Sequence, residues 1–241
     1  MTQPRSRSEV DASEVVRLPR TGVATAKQLA LCFVLSVAIA GTCTTSAAAQ
    51  DTPANDNSKR RANSAATDWP RFRGPNGTGI SHATTVPVRW NAEDYNWTTA
   101  LPGHGHGSPV IVGERLYVVC GQKRTAERIV VCVDVTSGKV LWKRRFSSKK
   151  HRLHGSNSYG SSTPAADAGG VVVTWADPQK LTLLALDRTG KTTWERDFGP
   201  HTAINGAGTS PVIVDDLVVL TNVQMDPNFM IRIGVLPKTY P

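Results

Sequence analysis

The feature that most constrains this chain is that it repeats itself. Each unit opens with a Ser/Thr-Pro pair and an apolar run: Ser108-Pro109-Val110-Ile111-Val112, Thr163-Pro164-Ala165-Ala166 and Ser210-Pro211-Val212-Ile213-Val214. A turn pair follows each (Gly113-Glu114, Gly169-Gly170, Asp215-Asp216), and then a second apolar run (Leu116 to Cys120, Val171 to Trp175, Leu217 to Leu220). Short apolar runs joined by such pairs read as antiparallel hairpins. Two units share an ending, Asp134-Val135-Thr136-Ser137-Gly138-Lys139-Val140-Leu141-Trp142 and Asp187-Arg188-Thr189-Gly190-Lys191-Thr192-Thr193-Trp194. In both, Asp bonds its own turn, Gly supplies a positive φ and Trp enters the next strand. Trp97 in Asn96-Trp97-Thr98-Thr99 reads as the closing tryptophan of an earlier unit.

The openings lie 55 and 47 residues apart and the last two tryptophans 52 apart, which suits a four-stranded blade and exceeds most helical solenoid repeats. No stretch after residue 49 keeps a helical period. The expected fold is therefore all-β, an incomplete β-propeller of four-stranded antiparallel blades with under three blades present. Each sheet covers its Val, Ile and Leu faces only by stacking on a neighbour. The recurring structural positions are Pro109, Asp134, Gly138, Trp142, Pro164, Asp187, Gly190, Trp194 and Pro211.

Residues 1–49 stand apart, with five Lys/Arg up to Lys27, an apolar run Leu29 to Ala40, and small residues closing with Ala47-Ala48-Ala49. This is the pattern of a secretory signal peptide, and it places the protein in an exported, periplasmic or cell-envelope compartment. An uncleaved signal would instead tether the chain to the membrane. Cys43 follows Ala40-Gly41-Thr42, a poor match to a lipoprotein box. Residues 50–67 hold no bulky apolar group and are expected to be a disordered linker. The units then run as a lead-in with the last strand of a blade (68–106), a blade (107–160), a second blade (161–206) and a partial blade with an aberrant C-terminus (207–241). Trp69 and Phe72 are expected to pin the lead-in to the body. At the far end a third Asp-x-x-Thr-Gly-Lys-x-x-Trp ending is awaited, but Ile231-Arg232-Ile233-Gly234-Val235 stands there, as in a truncated or frame-shifted fragment.

Without the leader the chain carries 23 basic and 16 acidic residues, +7. The basic clusters Lys59-Arg60-Arg61, Lys143-Arg144-Arg145 and Lys149-Lys150 have no interleaved aromatic platform, so they read as solvated loops and no nucleic-acid partner is expected. Cys120 and Cys132 permit one disulfide in an oxidising compartment, but their place in apolar runs favours buried thiols.

The Asp-x-x-Thr/Ser-Gly-Lys-x-x-Trp endings, the Ser-Pro-Val-Ile-Val openings and the Trp69 to Gly79 lead-in resemble bacterial exported proteins with pyrroloquinoline-quinone-like (PQQ-like) propeller repeats. The resemblance covers about residues 69 to 230. Relatives in fold include quinoprotein dehydrogenases and the BamB-type lipoprotein of outer-membrane assembly. It implies either a non-catalytic exported scaffold with a protein or envelope partner and no cofactor, or a quinone-dependent oxidoreductase. In the dehydrogenases adjacent cysteines lie against the quinone, and Cys120 and Cys132 are not adjacent.

No catalytic constellation is found. Gly190-Lys191-Thr192 lacks the first glycine of a phosphate loop, and neither a Gly-x-Ser-x-Gly elbow nor a His-Glu-x-x-His helix occurs. His104 and His106 in Gly103-His104-Gly105-His106-Gly107 are weak metal candidates. His151, His154 and His201 also precede later openings, and loop residues recurring in a repeat account for all five.

Overall fold

The computed structural model describes residues 15–19, 68–83, 86–203, 205–223 and 231–238. The apolar run and cleavage region of the expected signal, Cys43, the 50–67 linker with Lys59-Arg60-Arg61, and residues 224–230 and 239–241 lie outside the described residues.

Apart from one 3-10 turn at Ala92–Asp94, the regular elements of the described residues are strands, and each sheet is an antiparallel meander. The first blade is β3 (Val110–Val112), β4 (Arg115–Gly121), β5 (Arg128–Asp134) and β6 (Val140–Phe146), paired in that order. The second is β7 (Ala165–Ala166), β8 (Gly170–Asp177), β9 (Lys180–Asp187) and β10 (Thr192–Asp197). The third has three strands, β11 (Val212–Val214), β12 (Leu217–Val223) and β13 (Ile231–Pro237). The divergent stretch from Ile231 thus pairs with β12 in unbroken register, where β5 and β9 sit in the complete blades.

Before these comes β2 (Tyr95–Ala100), which pairs with β1 (Val15–Pro19). Val15–Pro19 lies inside the segment expected to leave on export. Its removal would bare one edge of β2, since an edge strand offers a row of N–H and C=O groups to whatever extended chain is near.

Alternation along the strands sends side chains to both sheet faces, so stacking yields three hydrophobic layers. Trp97 and Leu101 pack with Leu116, Val118, Ile129 and Val131 on one face of the first blade. Its other face, with Tyr117, Val119, Val130 and Cys132, meets Val171, Val173, Leu184 and Leu186 of the second blade. The far face of the second blade, with Val172, Leu181, Leu183 and Ala185, meets Val218 and Leu220 of the third. β8 is buried along its whole length because both its faces are covered. Cys120 and Cys132 are fully buried, belong to different layers and form no disulfide. The third blade leaves Val214, Leu217 and Val223 exposed on its strands, as an unstacked sheet must.

Candidate functional site

Of the repeat positions read from the sequence, Gly138, Trp142 and Gly190 lie where one blade meets the next. In the turn after β5, Asp134 Oδ1 accepts from the Ser137 backbone N–H and hydroxyl, both at 2.7 Å. After β9, Asp187 Oδ1 accepts from Thr189 N–H at 2.8 Å and Lys191 N–H at 2.9 Å. These bonds, led by the neighbouring hydroxyl, hold both carboxyls below the ordinary aspartate range. Each turn ends on a glycine in the left-handed region, Gly138 at φ 71° and Gly190 at φ 81°.

The reason for glycine lies in the preceding blade. A Cβ on Gly138 would fall 2.6 Å from the Trp97 ring, and one on Gly190 would fall 2.7 Å from the Trp142 ring. Each closing tryptophan therefore lies flat on the glycine of the next unit's turn. Its indole N–H then donates to a carbonyl of that turn: Trp97 to Val135 at 2.7 Å, Trp142 to Arg188 at 2.9 Å. The second turn is gripped further, with Arg115 donating to the Arg188 carbonyl at 3.0 Å and Arg144 to the Gly190 carbonyl at 2.6 Å. Arg144, expected as a solvated basic residue, is thus a clamp. Trp194 packs beside the third layer, but its Nε1 is buried with no hydrogen-bond partner among the described residues.

The inner ends of the blades are joined differently. Ser108 N–H donates to Thr163 Oγ1 at 2.9 Å, and Thr163 N–H to Ser210 Oγ at 3.0 Å, so each opening hydroxyl receives the backbone of the previous unit. The lead-in straps the same region. Trp69 exchanges backbone bonds with Ile111 of β3 at 2.8 and 2.9 Å, and the Pro70 carbonyl accepts from Ala166 of β7 at 2.8 Å. Trp69 pins the strap as expected, but Phe72 is 52% exposed and merely lies against Arg73, because it points away from both sheets. Beside the strap is an open cavity of about 890 Å³ whose lining includes Asp68, Arg71, Arg115, Asp167 and Arg188. Its charges are largely committed: Asp167 pairs with Lys238, Asp68 accepts from Gly113 N–H at 2.8 Å, and Arg115 holds the Arg188 carbonyl. Burial raises the Asp68 carboxyl above its usual range against that bond.

Two further junction residues escaped sequence reasoning. Arg128 is 2% exposed, donates to the Ala126 and Ala176 carbonyls, and has its guanidinium 4.6 Å from the Tyr159 ring centroid. Burial lowers its pKa to about 10. Asp177, in the β8–β9 turn, accepts from Ser148 Oγ at 3.1 Å and from the N–H groups of Lys149, Gln179 and Lys180 at 3.3, 2.9 and 3.0 Å. Burial pushes its carboxyl up, and these bonds outweigh that and leave it lowered. The only sequence signal for Arg128 is a charged residue opening the apolar run Ile129–Val133.

His104, His106, His151 and His154 line one cavity, and His201, buried with Nδ1 3.2 Å from Asn222 Oδ1 of β12, shares a neighbouring cavity with His151. Burial lowers the His201 pKa, partly offset by Asn222. Among the described residues no three His, Cys, Asp or Glu side chains converge as metal ligands, so the His104–His106 pair gains no completing group. Cys120 and Cys132 are sealed in different layers and so do not form an adjacent sulfur pair.

A family model described as outer membrane protein assembly factor BamB matches residues 79–225. None of the curated proteins matches the chain. Solved structures similar to it include a europium-containing methanol dehydrogenase, with 18% identity, TM-score 0.37, and 56% of this chain against 23% of that one. Another is BamB from Moraxella catarrhalis, with 20% identity, TM-score 0.38, and 52% of this chain against 37% of that one. The chain thus spans well under half the length of either structure. With the greater part of its sequence matched by the model, and with blades joined through the recurring Trp and Gly positions, the chain belongs to the BamB-like family of PQQ-type β-propeller repeat proteins.

Proposed function

We propose that this protein is an exported, non-catalytic propeller scaffold that holds a protein partner at the cell envelope. One observation carries the reading. The polar and charged side chains at the blade junctions (Trp97, Trp142, Arg115, Arg128, Arg144, Asp177) are hydrogen-bonded to backbone groups of neighbouring segments, where they build rigidity. Function follows the site and not the fold, so the dehydrogenases that share this architecture do not lend it their chemistry. The envelope location and the partner rest on the family and on the leader-like residues 1–49.

The test uses the full chain in two arms. Cross-linking in intact cells followed by purification should recover a defined envelope protein. Addition of pyrroloquinoline quinone and calcium should give no reduction of a redox dye by alcohols or sugars. Dye reduction that depends on the quinone would replace the scaffold with an oxidoreductase.

A further inference from the structure

We propose that the cavity between the Gly103–Gly107 loop, the end of β4 and the 150–159 loop binds a phosphate-bearing ligand. The alternation Gly-His-Gly-His-Gly acquires a purpose there. His104 N–H donates to the Gly121 carbonyl at 3.0 Å, Gly121 N–H returns to the His104 carbonyl at 2.7 Å, and His106 and Gly107 N–H both reach the Gly160 carbonyl, at 3.1 and 2.9 Å. A Cβ on Gly103 would lie 2.7 Å from the Gly121 carbonyl oxygen, and one on Gly105 would lie 2.6 Å from that of Val119. The glycines are therefore the half of the loop that lies against backbone, with Gly103 buried, while His104 is half-buried and His106 exposed.

Those two imidazoles line a cavity of about 590 Å³ together with His151, His154, Lys123 and Lys150, and among the described residues no Asp or Glu lines it. Its wall is fixed, because the Tyr159 hydroxyl donates to the His151 carbonyl at 2.6 Å and accepts from His151 N–H at 3.1 Å. Behind that wall the buried Arg128 guanidinium supports the Tyr159 ring, 4.6 Å from its centroid. Ser156 N–H donates to His154 Nδ1 at 3.2 Å, which leaves Nε2 as the donor of the neutral ring. His151 Nδ1 lies 3.0 Å from the Lys149 carbonyl, which only accepts, so that nitrogen's proton is donated to the backbone and fixes the ring, leaving the anion donors to His154, His104, His106 and the two lysines. Ammonium and imidazole donors around a space free of carboxylates suit an anion with several acceptor oxygens, and a phosphate monoester offers three on nearly two charges. The space exceeds one phosphate group and leaves room for a sugar-sized body.

The shared chemistry is the phosphate monoester, carried by a soluble sugar phosphate or by a lipid headgroup. Titration calorimetry of the full chain with glucose 6-phosphate, and sedimentation with vesicles of phosphatidylcholine containing phosphatidic acid, separate the two sources. Binding of either probe, weakened about tenfold or more in the Lys123→Ala/Lys150→Ala variant and again in His104→Asn/His106→Asn, supports the site. Lys123, Lys150 and His106 are exposed, so the melting temperature of these variants should stay close to that of the parent and confirm folding. Absence of binding to both probes, or equal binding by parent and variants, overturns it. Whether the protein is a scaffold or an enzyme does not enter this outcome.

Discussion

The junction between the first and second blades and that between the second and third are built alike at the centre and unlike at the rim. At the centre both use an opening hydroxyl to receive the previous unit's backbone, Thr163 for Ser108 and Ser210 for Thr163. At the rim the first junction is latched by Trp142, Arg115 and Arg144 on the turn at 187–191. The second stops at Trp194, whose indole N–H is buried without a partner among the described residues. Hydrophobic stacking supplies the contact in both places, and directional bonds add to it in both, but the second junction uses the Lys238–Asp167 ion pair and His201–Asn222 in place of a tryptophan seated on a turn. The difference teaches that apolar area brings blades together while the Trp-on-Gly latch fixes how they sit.

The largest effect is expected at the latched junction from Arg128→Ala, which strips two buried carbonyls of their donor and opens a cavity under Tyr159. A loss of about 3 to 5 kcal/mol in urea unfolding is predicted, the range for truncating one member of a buried charged network. A loss under about 1 kcal/mol would mean that stacking alone holds the pair.

Next comes a matched pair of glycines. Gly190 and Gly199 share the left-handed conformation, φ 81° and 79°, but a Cβ on Gly190 meets the Trp142 ring and one on Gly199 meets nothing within 4 Å. Gly199→Ala should cost about 1 kcal/mol, the conformational strain alone. Gly190→Ala should cost about 3 kcal/mol, strain plus overpacking. Equal losses would break the claim that the indole seat dictates glycine.

Smaller still is the contrast between indoles. Trp142→Phe removes a made hydrogen bond and should cost about 1 kcal/mol beyond the lost ring area, whereas Trp194→Phe removes an unsatisfied buried donor and should be neutral or slightly stabilising. If both variants lose the same amount, Trp194 has found an acceptor and the second rim is closed as well.

Acid should separate the junctions most gently. His201 spans the second junction to Asn222, and its folded pKa is lowered by burial, so the unfolded chain takes up the proton first. Its neutral form supports the fold fully above the ordinary value of 6.5, and that support fades as pH falls through the lowered folded value. Asp177 at the first junction is also lowered, from 3.8, so its contribution persists to far stronger acid. Stability measured at about pH 7.5 and about pH 5.5 should fall in the parent and fall less in His201→Gln.

Much of this architecture was legible in the residues. Val110 to Val112, Leu116 to Cys120 and Ile129 to Val133 could only be strands between turn pairs, and the spacing of Trp97, Trp142 and Trp194 marked the blades. Periodicity reports which way a side chain leaves its own strand. It is silent on what lies across the gap when two sheets stack, and that is why Gly190 read as a turn residue and not as a seat for the distant Trp142. Arg128 and Arg144 were hidden for the same reason, since their acceptors are carbonyls, which every residue has. His104 and His106 were noticed for the chemistry of imidazole, but their setting depended on the intervening glycines, whose tightest contacts are with distant backbone. The pairing of Val15–Pro19 with β2 was not foreseen, because an open strand edge recruits by backbone and leaves no mark in side-chain pattern.

The strap at Trp69 and Pro70 has a consequence for biogenesis. It leaves the ribosome before either sheet it clamps, yet its bond to Ala166 must wait until the start of the second sheet has been made. Such a late, non-local closure is slow to form and, once formed, resists sliding of the two sheets past each other. During the interval the nascent polypeptide carries one sheet with an uncovered oily side, the state in which a growing chain is most exposed to aggregation.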